Sequence, residues 1–190
     1  MLRDWIMVPG MLPKEKCADI IERCRSLPTD TAKIGTGEPT TNQGIDFSQR
    51  RTKVAWVPIP GFEDLYQFIN SYTKRINRDA YGFDISHGIS DVQFTIYDSK
   101  QLAHYDWHQD VFYVSNEMFH RKLSIVIQLS DPSEYNGGEF EFRDVEQPGE
   151  DFKTQGSVLV FPSFHFHKVH QVSAGTRYSL VAWVDGVKWK

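Results

Sequence analysis

The stretch HYDWHQD, residues 104–110, places two histidines and two aspartates among aromatic side chains. We expect it to end a short strand, in which residues two apart point to the same side of the backbone. His108 and Asp110 have this spacing, so an imidazole and a carboxylate can converge on one point. A His-x-Asp pair by itself is a weak signal, because two exposed polar residues give the same pattern.

A second group of histidines makes this pattern more specific. His165, His167 and His170 all lie in the run FHFHKVHQV. One of them, together with His108 and Asp110, would supply two imidazoles and one carboxylate, the facial triad that holds non-haem iron(II) and leaves other positions open. A structural zinc site would be closed by protein ligands, usually cysteines. The two cysteines of this chain lie in a predicted helix and do not have that spacing.

A charged residue in an apolar strand is a second signal of a binding site. Arg177 lies within TRYSLVAWV, where an unpaired guanidinium would be costly to bury. The guanidinium fork matches a carboxylate in bidentate fashion. Arg177 can therefore bind a co-substrate that carries a carboxylate; the alternative is an arginine that reaches solvent from a strand end.

These motifs resemble those of the Fe(II)- and 2-oxoglutarate-dependent dioxygenases, and within them the prolyl 4-hydroxylase branch with its PKHD-type hydroxylases. The family pattern is His-x-Asp, a long gap, and a histidine followed about ten residues later by lysine or arginine. Here HQD is followed by HKVHQVSAGTR, in which Arg177 comes ten residues after His167. RKLSIVIQLSDPSEYNGGEFEF (121–142) and GSVLVFPS (156–163) are also similar, and the match covers roughly the last half of the chain.

The resemblance implies which residues bind the metal and which bind the co-substrate. The Fe(II) ligands would be His108, Asp110 and His167. Arg177 would pair with the distal carboxylate of 2-oxoglutarate, which Tyr97 would also reach. The implied co-substrates are 2-oxoglutarate and O2, with ascorbate as a reductant.

Two further residues would line the co-substrate pocket in this family, Gln128 and Trp183. Strand alternation agrees with both, because a strand places every second side chain on one face. On the two predicted strands the shared faces are Ser124, Val126 and Gln128, and Arg177, Ser179, Val181 and Trp183.

The reaction implied is hydroxylation of an unactivated C–H bond, with succinate and carbon dioxide as co-products. The leading substrate is a prolyl or other amino-acid side chain in a peptide or protein. A hydroxylase of a free amino acid or small metabolite is the alternative, and a non-catalytic jelly-roll binding module is a further one. A small closed pocket would favour the metabolite, and an open groove beside residues 33–50 would favour the peptide.

Other polar residues near these motifs are expected to have no part in the chemistry. We interpret His104 as a polar strand residue, His165 as a residue outside the metal ligands, and His170 as a side chain on the opposite face of its strand. Arg50 and Arg51 are interpreted as solvated surface charges, although an acidic or peptide partner is the alternative.

The composition argues against binding to nucleic acid or membrane. The formal net charge is −4, and no run of lysine and arginine exceeds two residues. No apolar run reaches membrane-spanning length, and the stretch MLRDWIMVPGMLP is too short and interrupted for a secretory signal. The two cysteines are expected to be reduced, which suits a cytoplasmic protein.

The elements that must position these residues differ between the two halves of the chain. Helical periodicity predicts helices over 13–27 and 62–79, with a long loop over 29–49 between them. From about residue 90, short runs of β-branched and aromatic residues alternate with turn residues.

Among the turns, YNGGE is predicted to be a tight hairpin and SAGT, residues 173–176, a turn between strands. The 190 residues predict a single domain that is mainly β. Its core would be a double-stranded β-helix, or jelly roll, over roughly 90–187, supported by helices within roughly 1–89.

Overall fold

The computed structural model of the chain describes residues 2–34, 44–113 and 118–190. Within them lie two α-helices, α1 Lys14–Arg25 and α2 Glu63–Ile76, the second continued by a π-helical turn at Asn77–Tyr81. The strands are β1 Ile6–Val8, β2 Asp30–Thr31, β3 Lys53–Trp56, β4 Gly88–Asp98, β5 Tyr105–His108, β6 Phe119–Gln128, β7 Tyr135–Gly137, β8 Phe140–Phe142, β9 Val158–Pro162, β10 His167–Val169 and β11 Val172–Val187.

The strands form a large and a small antiparallel sheet. The large sheet has the order β1–β9–β6–β11–β4–β3–β2, and β7 pairs with one end of β11. The small sheet has the order β5–β10–β8. Apolar side chains from both sheets pack together between them, including Val126, Phe142 and Phe161. Two antiparallel sheets packed in this way form a jelly roll, so the predicted mainly β core is confirmed.

Strand alternation gives the large sheet two different faces. On β11, Leu180, Ala182 and Val184 are buried in the cluster that includes both helices. The intervening residues Arg177, Ser179, Val181 and Trp183 line a cavity on the other side. One face of the large sheet is therefore an apolar support, and the opposite face carries the polar groups of the site.

The helices cover the outer face of the large sheet. Cys17, Ile20 and Cys24 form the buried side of α1, and both cysteines are free thiols. On α2 the buried positions include Leu65 and Ile69. None of the helices in the described ranges has the length and apolar character that a membrane span requires.

Three strands in the first half of the chain were not predicted. β2 and β3 extend the large sheet beyond β4, and β1 pairs with β9 at the other edge. Each has only two to four residues, too short for alternation to distinguish a strand from a loop. The predicted loop therefore contains β2, and its residues 35–43 lie outside the described residues.

Two turn predictions were wrong, because the chain changes sheets where a hairpin or turn was expected. β7 pairs with β11 and β8 pairs with β10, so YNGGE crosses from one sheet to the other. SAGT lies inside β11, where Gly175 is opposite Tyr135 of β7 and Thr176 is opposite Asp98 of β4. The strand thus exchanges one partner for another without turning back.

The exchange of partners at Gly175 predicts a sensitive position. Gly175 has a φ of +70°, and an added Cβ would lie 2.0 Å from the carbonyl oxygen of Glu134. We expect Gly175→Ala to lower the free energy of unfolding by at least about 2 kcal/mol, through left-handed strain and overpacking. Urea unfolding measures this loss.

Gly61→Ala is the matched control, since Gly61 also has a positive φ, +86°, but nothing within 4 Å of the added Cβ. Backbone strain alone should cost about 1–2 kcal/mol there. Equal losses for the two variants would contradict the close approach to Glu134.

Candidate metal centre

The small sheet brings together two histidines that are distant in sequence. β5 ends at His108 and β10 begins at His167, and these residues lie opposite each other in the antiparallel pair. Their ring centroids are 4.1 Å apart. Asp110 follows just beyond the end of β5, where its backbone N–H donates to the carbonyl of Ser163 at 3.0 Å.

The two imidazoles are oriented by backbone carbonyls. Nδ1 of His108 donates to the carbonyl of Asp106 at 2.7 Å, and Nδ1 of His167 donates to that of His165 at 3.0 Å. Both Nε2 atoms therefore face inwards, 3.8 and 3.7 Å from the two carboxylate oxygens of Asp110. The three ligand atoms all lie within 4.8 Å of one another, as a metal site requires.

The protonation of this cluster suits metal binding. Burial, reinforced by the neighbouring His167, holds the pKa of His108 well below 6.5, so its imidazole is neutral at physiological pH. Burial alone would raise the pKa of Asp110, but the neighbouring His167, His108 and Arg121 and the Ser124 hydroxyl bring it down to about 2. A neutral imidazole and an ionised carboxylate are the forms that ligate a metal.

A hydroxyl pair holds the Asp110 carboxylate in place. Oγ of Ser124, on β6, donates to Oδ2 of Asp110 at 2.6 Å. The same Oγ lies 2.9 Å from Oγ of Ser163, which follows β9. Both serines are fully buried. A residue of the large sheet, Ser124, therefore orients Asp110, which follows β5 of the small sheet.

The cluster opens into a cavity of about 560 Å³ between the two sheets. Across it, on the large sheet, Arg177 is only 2% exposed and lies opposite Tyr97 in the β11–β4 register. The guanidinium carbon is 5.3 Å from the centroid of the Tyr97 ring.

The Arg177 guanidinium has no counter-charge among the described residues. Among the described residues, Arg177 forms no ion pair and the Tyr97 hydroxyl has no hydrogen-bond partner. Burying an unpaired guanidinium is costly unless a ligand completes the pairing. The wall opposite the triad is therefore suited to a carboxylate, and the Fe(II) and 2-oxoglutarate implied by the sequence both fit the residues present.

Of the two other residues predicted to line the pocket, the structure places Trp183 in the cavity lining but not Gln128. Trp183 lines the cavity, and its indole Nε1 is buried with no hydrogen-bond partner among the residues that the structure describes. Gln128 shares the inward face of β6 but lies outside the cavity lining. Its amide donates to the hydroxyl of Tyr135 at 2.9 Å and to the carbonyl of Ser130 at 3.2 Å. The Gln128 amide is thus engaged by the protein itself, and its contact with the co-substrate stays a prediction.

The remaining histidines lie outside the cluster. The His104 ring bridges the carbonyls of Leu102 and Ser48, which is a structural role. His165 packs against Phe142, outside the cavity, and acts on the site only through its carbonyl. His170 pairs with Glu141 at 2.5 Å on the outer side of the small sheet. None of these rings faces the ligand atoms.

Arg50 was interpreted as surface charge, and this was wrong. It is 8% exposed and lines the cavity, whereas Arg51 lines a separate surface depression. The alternation of side chains along a strand could have shown that Arg50 faces the cavity. Arg50 is an even number of residues before Val54 and Trp56, which line the cavity from β3. The signal was missed because β3 was not predicted.

Comparison with known sequences agrees with this geometry. The sequence model of the 2OG-Fe(II) oxygenase superfamily matches residues 92–185, which contain the triad, Tyr97 and Arg177. This chain belongs to the 2OG-Fe(II) oxygenase superfamily. The predicted family is thereby confirmed.

Curated members of this superfamily include PKHD-type hydroxylases similar to this chain. One from Prochlorococcus marinus is 32% identical over 103 residues, which cover 54% of this chain and 45% of that protein. One from Acinetobacter baumannii is 28% identical over 170 residues, covering 76% of this chain and 74% of that protein. The chain thus spans less than half of the first relative and about three quarters of the second.

Solved structures show the same fold at low sequence identity. The viral collagen prolyl hydroxylase of Paramecium Bursaria Chlorella virus-1, in its 2OG complex, has a TM-score of 0.68 and 17% identity, with 97% of each chain covered. A prolyl hydroxylase from Trichoplax adhaerens, in complex with a hypoxia inducible factor peptide fragment, has a TM-score of 0.71 and 14% identity, covering 95% of this chain and 83% of that one. The jelly-roll assignment agrees with both.

The Ser124 hydroxyl predicts a measurable effect on metal affinity. Ser124→Ala removes the hydrogen bond that orients Asp110, so we expect Fe(II) or Co(II) to bind about 10–100-fold more weakly. Calorimetric titration under anaerobic conditions measures this change, and Asp110→Ala in the same assay should abolish detectable binding.

Ser130→Ala is the control, because Ser130 is equally buried but its hydroxyl accepts from the N–H of Tyr178, away from the triad. It should leave metal affinity unchanged. Equal metal affinity in the Ser124 variant and the wild type would show that the hydroxyl does not orient the ligand.

Proposed function

We propose that this protein is an Fe(II)- and 2-oxoglutarate-dependent dioxygenase that hydroxylates an unactivated C–H bond of an amino-acid side chain. The observation that carries the proposal is the pairing of two features across one cavity. Two inward Nε2 atoms and a carboxylate lie on one wall, and a buried, unpaired Arg177 lies on the other. A binding module has no need for either feature.

Each residue then has a defined task. His108, Asp110 and His167 would hold the Fe(II) ion, which would supply the redox chemistry for the keto acid and O2. Arg177 binds the distal carboxylate of 2-oxoglutarate, to which Tyr97 donates from the neighbouring strand.

The remaining walls exclude water from the metal side of the cavity. Val126, Val169 and Phe140 contribute apolar surface there. With the cofactors bound, oxidative decarboxylation of 2-oxoglutarate to succinate and carbon dioxide supplies the oxidant for C–H hydroxylation.

A prolyl side chain in a peptide is the leading substrate. The structural neighbours include a viral collagen prolyl hydroxylase and a Pseudomonas putida prolyl-4-hydroxylase, which supports this choice. The cavity rim carries the half-exposed Ile45 and Trp56, so the cavity reaches the surface, where a peptide can lie. A free amino acid or small metabolite is the alternative.

The proposal is tested by turnover. Purified protein with Fe(II), ascorbate and 2-oxoglutarate in air should form succinate, and a proline-containing peptide should raise that rate and gain one oxygen atom by mass spectrometry. Oxygen incorporation into free amino acids only would favour the metabolite alternative. An iron-loaded protein that forms no succinate with any peptide or metabolite would contradict the enzymatic function.

The role of Arg177 predicts a specific loss. Arg177→Gln removes a charge-assisted bidentate pair, and we expect the dissociation constant of 2-oxoglutarate to rise about 10–100-fold, from a loss of roughly 1.5–3 kcal/mol. Tyr97→Phe removes one neutral hydrogen bond and should raise it about 3–10-fold. Calorimetry with the Fe(II)-loaded protein in the absence of O2 measures both values.

Arg78→Gln is the control, because Arg78 is exposed and, in the part of the chain that the structure describes, its ion pair is with the adjacent Asp79. It should leave 2-oxoglutarate binding unchanged. Unaltered 2-oxoglutarate affinity in the Arg177 variant would place the co-substrate elsewhere in the cavity.

A further inference from the structure

The cavity holds more positive charge than one co-substrate requires. Of the described residues that line it, the basic ones are Lys33, Arg50, Arg121 and Arg177 and the acidic ones are Asp30 and Asp110. Arg177 is assigned to 2-oxoglutarate and Asp110 to the metal, which leaves Lys33, Arg50 and Arg121 against Asp30. Of these, Arg121 lies 3.9 Å from the carboxylate of Asp91, which is outside the cavity lining. The whole chain has the opposite balance, with a net charge of −4.

Arg50 is the most constrained of these basic side chains. Nε donates to Oγ1 of Thr52 at 2.9 Å and Nη2 donates to Oε1 of Gln93 at 2.8 Å. The guanidinium lies over the Tyr105 ring, 4.3 Å from its centroid. That ring in turn stacks on His108 with centroids 3.4 Å apart. The charge is thus held rigidly beside the metal cluster.

None of these contacts neutralises the charge. Thr52 and Gln93 present neutral oxygens, and among the described residues Arg50 forms no ion pair. A guanidinium that is more than nine-tenths buried against neutral partners keeps an unmet electrostatic demand. Its fork has donors that are not used by Thr52 or Gln93. A bound anion would compensate the charge of Arg50 and accept hydrogen bonds from its unused donors.

Arg50 and Arg177 contact different positions along strand β4. Arg177 is opposite Tyr97 on β4, whereas Arg50 bonds to Gln93, four residues earlier on the same strand. At about 3.3 Å per residue, these two backbone positions on β4 are roughly 13 Å apart. Both guanidiniums nevertheless act on the Tyr97 hydroxyl, where each opposes the rise in its pKa that burial causes. Arg121 lies further towards Trp183, with its guanidinium carbon 3.9 Å from the indole centroid. The two extra arginines therefore contact different aromatic side chains of the cavity wall, Arg50 at Tyr105 and Arg121 at Trp183.

We propose that Arg50, assisted by Arg121, forms a second anion site that binds a carboxylate carried by the substrate. This inference rests on the proposed function, because it assigns Arg177 and the triad to 2-oxoglutarate and iron. The carboxylate has two possible sources, the α-carboxylate of a free amino acid and the side chain of an acidic residue in a peptide. In both cases the substrate differs from a neutral peptide segment.

The test compares acids with their amides on protein in which the first site is already filled. Fe(II)-loaded protein, saturated with 2-oxoglutarate and kept free of O2, is titrated calorimetrically with matched pairs. One arm uses free amino acids, proline included, against their amides. The other arm uses blocked proline-containing peptides that differ only as Glu against Gln or Asp against Asn.

In at least one arm the acid should bind the wild-type protein at least about 10-fold more tightly than its amide. The arm in which this ratio appears identifies the source of the carboxylate. Arg50→Gln should reduce the ratio to near one, and Arg50→Lys should keep part of it, because lysine retains the charge without the fork. Arg121→Gln should have a smaller effect, since this side chain is partly exposed.

Two results would overturn the inference. One is equal binding of acid and amide by the wild-type protein in every pair, which needs no variant and so does not depend on whether the Arg50 variants fold. The other is a 2-oxoglutarate affinity that falls about 10-fold or more in Arg50→Gln but not in the exposed control Arg78→Gln, since Arg50 would then serve the co-substrate. Succinate formation in the same wild-type preparation, measured separately in air, reports on the proposed function alone.

Discussion

The pairing of β5 with β10 is the contact on which the candidate site depends. It places His167 opposite His108, although these residues are about 60 positions apart in the chain. A shift of one residue would turn every side chain of β10 to the other face of the small sheet. Lys168 would then face the cavity in place of His167, and its present partner Glu141 would lose its ion pair. The register is therefore as important as the identity of the ligands.

The two sheets contribute different parts of the site. The small sheet and the turn after β5 present the candidate metal ligands, and the large sheet presents the buried Arg177, Tyr97 and Trp183. The hydroxyl of Ser124 links the two, because it reaches from the large sheet to Asp110. The helices pack on the outer face of the large sheet, so that face is apolar and the polar side chains lie on the inner face.

The polar interior of this jelly roll favours a bound ligand. The Arg177 guanidinium, the Tyr97 hydroxyl and the Trp183 Nε1 all lie inside without a hydrogen-bond acceptor among the described residues. Each group left unpaired costs stability, and a carboxylate or other acceptor in the cavity would remove part of that cost. The same reasoning applies to the charge of Arg50, whose described partners are neutral.

Local pattern was sufficient for part of this description. Alternation along β11 and β6 predicted which side chains share a face, and helical spacing predicted the buried sides of α1 and α2, because these patterns repeat over many residues. The strands β1, β2 and β3 have two to four residues and carry no such repeat. The interpretation of Arg50 failed for the same reason, since its position depends on β3.

The sequence by itself determined the ligand types, the ten-residue interval from His167 to Arg177 and the family they indicate. Only the tertiary structure decided which side chains meet. It showed that β11 passes straight through the predicted turn at 173–176, that Gln128 is bound to Tyr135, and that Arg50 lies inside. Contacts of this kind depend on which strands pair and in what register, and both are set by residues far apart in the chain.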